Sequence, residues 1–197
     1  MMMLANTGRW RRVLVVVSAL SFTAACGDSS NYKVSTRGWD PSAQGGSLWS
    51  LDGCVVELTW LSSRCNEAAS GLLSARVGSS LEFPGEMVAQ LESPCADGPA
   101  VRVDIDLGGQ SVLYDFSNVA AAGRFPSAEF EGFVIADTYH SVAAIVGASI
   151  DRSVSTVGLP DEALSFDAHS LSVNLAGIAF DPTSFLKIDV VLERNLN

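Results

Sequence analysis

Val101-Arg102-Val103-Asp104-Ile105-Asp106-Leu107, followed by Gly108-Gly109, is the stretch that decides the fold. Four aliphatic residues alternate with three charged ones, so an extended chain here has one apolar face and one wet face. A helix would scatter the same residues around its circumference. The glycine pair supplies the positive φ angles of a two-residue hairpin turn, and Val112, Tyr114 and Phe116 form the core face of a return strand. Such a hairpin needs a second layer to cover its apolar side.

The rest of the chain offers that layer. Upstream, Cys54 to Trp60 puts Cys54, Val56, Leu58 and Trp60 on one face of a strand. Leu72 to Val77 is a weaker second strand, ended by Gly78-Ser79-Ser80, and Glu86 to Leu91 reads as a third. Ser93 to Pro99 is a loop. Downstream, Asn118 to Pro126 contains three consecutive alanines, has no clear period and admits a helical turn. Phe130 to Ala136, Ile145 to Ile150, Leu164 to Asp167, Leu171 to Leu175 and Phe185 to Glu193 read as strands, with a type I turn at Asp181-Pro182-Thr183-Ser184. The expectation is an all-β chain: an antiparallel β-sandwich, jelly-roll-like, with nine or ten strands and little helix.

Ahead of this domain, Arg9-Trp10-Arg11-Arg12 leads into thirteen uncharged residues, Val13 to Ala25, and then Cys26. As a helix that run rises roughly 20 Å, short of a ~30 Å hydrocarbon core, so it reads as a signal-peptide core rather than a permanent span. Thr23-Ala24-Ala25-Cys26 resembles the lipobox of bacterial lipoproteins, although Thr23 stands where that family usually has leucine. The resemblance implies cleavage before Cys26, a diacylglycerol thioether on its sulfur and a further acyl chain on its new amino group. Several chains at ~0.8 kcal/mol per buried methylene make a stable anchor. The alternative is plain secretion with an unmodified Cys26.

Residues 1–25 are therefore read as the signal peptide, 26–47 as a polar, flexible tether, and 48–197 as one domain. Trp39, inside the tether, is expected to dock on its own domain. A domain of that size buries close to 70% of its unfolded surface and needs no metal for stability. The leader holds three of the twelve basic residues and none of the twenty-two acids, which leaves the mature chain at −13. No basic footprint exists for nucleic acid or anionic lipid.

The cysteines past the leader are Cys54, Cys65 and Cys95. An oxidising compartment favours one disulfide. If the first four strands form an up-and-down meander, the loops of Cys65 and Cys95 share one end of the sheet. Cys54 starts its strand at the other end, beyond the ~7 Å that a bridge spans. This predicts Cys65–Cys95, with Cys54 as a buried thiol.

Chemistry-bearing motifs are sparse. His140 and His169, with Asp137 and Asp167 beside them, would make a metal site only if their loops met. Ser184-Phe185-Leu186-Lys187 matches Ser-x-x-Lys but lacks the partner motifs and the helix that chemistry needs. Asp151 and Asp161 sit in loose acidic loops that fall short of a calcium pattern. No catalytic residue, metal ligand or cofactor is assigned. Phe130-Glu131-Gly132-Phe133 through Ile188-Asp189-Val190 faintly resembles β-rich modules of secreted bacterial proteins of unknown function, a likeness that implies no activity.

The reading is a lipoprotein held in the bacterial cell envelope, at the outer membrane or cell surface, through lipid on Cys26. Its sandwich is a non-catalytic binding or structural domain, with an envelope protein or glycan as partner. An apolar-ligand carrier, for which the run Val142 to Ala148 speaks, is the alternative. A small hydrolase built from scattered carboxylates is a more remote one.

Overall fold

The computed structural model describes residues 50–64, 71–91, 101–140 and 142–193. Eleven strands are present among them: β1 (Val55–Ser62), β2 (Leu72–Arg76), β3 (Asp104–Gly108), β4 (Ser111–Asp115), β5 (Gly123–Arg124), β6 (Glu131–Ala136), β7 (Ile145–Ile150), β8 (Leu164–Phe166), β9 (Ser170–Asn174), β10 (Ala179–Phe180) and β11 (Phe185–Leu192). They form antiparallel sheets in the orders β2-β1-β6-β9-β8 and β3-β4-β11-β7, with β5 and β10 as a small separate pair. The fold is all-β and sandwich-like. The count exceeds nine or ten because β5 and β10 are two residues each, too short to carry a period.

The alternation read from the sequence sets the core. Val56 and Leu58 of the five-stranded sheet face inward with Phe133, Leu171 and Val173; Ile105, Leu107, Val112, Tyr114, Leu186 and Ile188 of the other sheet do the same. The hairpin turn is displaced by one residue. Gly108 pairs with Ser111, so the loop is Gly109-Gln110, with positive φ at Gly109 alone, the pattern of a type II′ turn. Val101 to Val103 lead into β3 rather than belonging to it, although Val103 is fully buried. Ser184 N–H donates to the Asp181 carbonyl, closing the expected turn.

Glu86 to Leu91 is not a strand. Gly85–Val88 forms a short helix, α1, continued by a 3₁₀ turn over Ala89–Leu91. Pro84 fixes the entry, and its carbonyl accepts from both Met87 and Val88. Val88 and Leu91 are the buried residues, three apart, which suits a helical turn and not a pleat. The up-and-down meander is overturned with it, because β2 is an edge strand and β3 lies in the other sheet. The meander was the basis for pairing Cys65 with Cys95, and both cysteines lie outside the described residues. What adjoins their segments is a close approach of Gly71 to Leu91, where a Cβ built on the glycine would lie 3.0 Å from the Leu91 side chain. Cys54 is buried, as expected.

Asn118 to Pro126 holds no helical turn; it contains β5 and delivers Phe125 to an aromatic cluster. Phe125 lies 4.8 Å from Phe180 and 5.8 Å from Trp60, and Trp60 meets Phe133 edge-on at 4.6 Å. These contacts plug one end of the sandwich.

Tyr114 is fully buried, and among the described residues its hydroxyl has no hydrogen-bond partner. Burial alone pushes its phenol far above the usual range. An unmet buried hydroxyl costs about 1–3 kcal/mol, so Tyr114→Phe should raise stability by about 1 kcal/mol or more in chemical denaturation. A loss of stability would show that the hydroxyl is satisfied.

Candidate functional site

The loops carrying the two histidines do meet. β6 pairs with β9 so that Ala136 lies opposite Ser170, which sets Asp137 beside His169. Asp137 N–H then donates to the His169 carbonyl at 2.8 Å. The next turn brings His140 back with φ +52, left-handed backbone that histidine tolerates better than most residues. The rings of His140 and His169 meet edge to face, centroids 4.0 Å apart.

The cluster does not have the geometry of a metal centre. His169 Nδ1 is 3.9 Å from Asp137 Oδ2 and makes no hydrogen bond among the described residues. Asp137, buried, spends that oxygen on the Val142 N–H at 2.7 Å, which ties down the 137–142 loop. Asp167 turns toward backbone instead: the N–H of His169 donates to it, and this bond chiefly holds its carboxyl below the usual range. Among the described residues no three His, Cys, Asp or Glu side chains converge as a metal ion requires. The four residues are thus brought together, but as a loop clasp.

The Ser-x-x-Lys match dissolves on inspection. Ser184 Oγ accepts from the Asp181 N–H, while the Lys187 ammonium lies 2.8 Å from Asp151 and 3.0 Å from Asp189. Those two carboxylates raise its pKa, the opposite of what a general base needs. Asp151 is held down to about 2, first by Lys187 and then by Ser153. Asp161 pairs with Arg152. Asp151 and Asp161 are thus each engaged by a neighbouring cation.

Two buried carboxylates were not foreseen. Glu131, 2% exposed, receives Ser62 Oγ at 2.6 Å and Arg64 Nε at 3.1 Å. Glu82 accepts the N–H groups of Gly78 and Leu107 at 2.8 and 2.7 Å. Nothing in their sequence neighbourhoods separates them from solvated acids, since their partners lie far along the chain.

Glu82 also acts on Asp106. Partial burial, then hydrogen bonding and repulsion from Glu82, raise the Asp106 carboxyl above its ordinary value. The folded state therefore holds a proton that the unfolded chain has released, and stability falls as pH rises through that window. Asp106→Asn should remove this decline and make the protein more stable than the parent at pH 7, with a smaller difference or none at pH 4. Denaturation curves at the two pH values test it; a mutant equally destabilised at both would contradict it.

Two hollows bear on ligand binding. Between the sheets, below Asp137 and His169, a cavity of about 30 Å³ is walled by Leu51, Val56, Leu107, Ile135 and neighbours. Small-molecule sites run ~300–1,000 Å³. The second is a depression of about 300 Å³ on the seam between β7 and β8, walled by Ala148, Ile150 and Leu164, with the Arg152–Asp161 pair beside it.

Comparison with family models, with curated proteins and with solved structures returns no match.

Proposed function

We propose that this chain is an exported, lipid-anchored lipoprotein of the bacterial cell envelope whose β-sandwich is a non-catalytic binding or structural domain. The observation that carries the proposal is the run from Arg9 to Cys26: three arginines, a thirteen-residue apolar segment and Thr-Ala-Ala-Cys. No helix among the described residues is long and apolar enough to cross a membrane. The proposal assigns retention to acyl chains on Cys26, each buried methylene contributing ~0.8 kcal/mol.

The domain supports a binding or scaffolding role over the two alternatives. A carrier would hold its ligand between the sheets, where the space amounts to about 30 Å³. A hydrolase would gather poised carboxylates in a cleft, whereas Glu82, Glu131 and Asp137 are buried and bound to N–H, hydroxyl or guanidinium groups, and Asp106, raised beside Glu82, lines neither hollow. The seam between β7 and β8 is the place for a small ligand or a partner's side chain.

With Cys26→Ala, the protein should lose detergent-phase partitioning while its domain keeps the parent's unfolding transition. Equal partitioning of mutant and parent would refute the anchor.

A further inference from the structure

The structure fixes the end of the sandwich from which the anchor departs. Leu51, directly after the first described residue, donates its N–H to the Gly109 carbonyl in the β3–β4 turn and walls the same cavity as Asp137 and His169. The twenty-four residues Cys26 to Trp49 therefore join the domain at the end that holds this turn and the histidine pair.

That end carries several exposed apolar side chains. Tyr139 (52% exposed) adjoins His140, which touches His169. Two residues before Ala168 is Phe166 (44%), and the Ala168 carbonyl accepts from Ile145 N–H. Val146 (52%) follows, at the irregularity where β7 and β11 shift register, and Val191 (51%) lies over the adjacent Gly147. Large apolar groups gathered in this way mark a contact surface.

We propose that this end of the domain rests on the interface of a zwitterionic bilayer, with Tyr139, Val146, Phe166 and Val191 as the contacting side chains. The inference depends on the lipid anchor at Cys26, which brings this end to the bilayer. An aromatic ring with a polar tip suits the headgroup level. Exposed Asp52, Asp167 and Glu193 stand at the same end and outnumber Arg76, whose guanidinium reaches the Gly53 carbonyl there, so the surface it fits is zwitterionic and not anionic. The seam between β7 and β8 then opens at the far end, toward solvent and partners: its walls include Ile150 and Leu164, at the opposite ends of those strands from Ile145 and Phe166.

Hydroxyl-radical footprinting tests this on the lipidated protein in phosphatidylcholine vesicles, against the Cys26→Ala variant free in solution. Modification of Tyr139 and Phe166 should fall severalfold on vesicles. Met87, exposed on α1 at the other end of β3, should keep its reactivity. Unchanged Tyr139 and Phe166 on vesicles that retain the protein would overturn the docking and leave the anchor standing. Equal protection of Met87 would also overturn it, since no particular end would then face the lipid. Failure of the vesicles to retain the protein would overturn both.

Discussion

Gly132→Ala should be the most damaging single-methyl change in the described domain, costing on the order of 3 kcal/mol or more, the upper range for overpacking. A Cβ built on Gly132 would lie 1.9 Å from the carbonyl oxygen of Val173 and 3.0 Å from its carbonyl carbon. Both are backbone atoms of β9, so no side chain can rotate aside. β6 is the middle strand of its sheet, paired with β1 and β9, and Gly132 cannot retreat without breaking one ladder. Against a typical total of 5–15 kcal/mol, the loss leaves little or no folded protein in moderate denaturant. Urea denaturation of mutant and parent checks this. A mutant within ~0.5 kcal/mol of the parent would show that β6 and β9 are not so close.

Ile105→Ala should cost about 2–5 kcal/mol, as buried aliphatic truncations do. Ile105 is fully buried between the sheets, and its N–H and carbonyl both bond to Phe83, which seals the edge of β3. A cavity there has walls on every side. Its neighbour Asp104 points outward yet is not idle: it accepts the Gly85 N–H at 2.5 Å and the Asn118 amide at 2.7 Å. Asp104→Ala should therefore cost about 1–2 kcal/mol, more than a purely solvated acid and less than Ile105. The reverse order in denaturation would mean that the register of β3 is wrong.

Strands with a wet face were legible because burial imposes period two on their side chains. The strand β4 and the ends of β6, β7, β9 and β11 follow from that pattern to within about two residues, whereas β3 begins three residues later than its alternation suggests. Glu86 to Leu91 misled because six residues that mix apolar and polar types fit a pleat or a helical turn equally well. Pro84, two residues earlier, was the signal for a helix start. Sheet order was not legible at all: that β1 lies beside β6, and β4 beside β11, depends on pairings between distant segments.

The candidate site divides in the same way. Asp137, His140, Asp167 and His169 could be named as residue types that carry chemistry, but their meeting depends on the β6–β9 register. Glu82 and Glu131 were missed because a buried carboxylate differs from a solvated one only through partners elsewhere in the fold. Cys26 differs from both cases. Its assignment rests on the local order of charge, apolar run and small residues, which needs no tertiary structure.

Mass spectrometry of the mature N-terminal peptide tests the central claim most directly. The account predicts a chain that begins at Cys26 and carries a diacylglyceryl thioether, with a further acyl group on the amino terminus. A mature chain with an unmodified Cys26, or one that keeps residues 1–25, would contradict it.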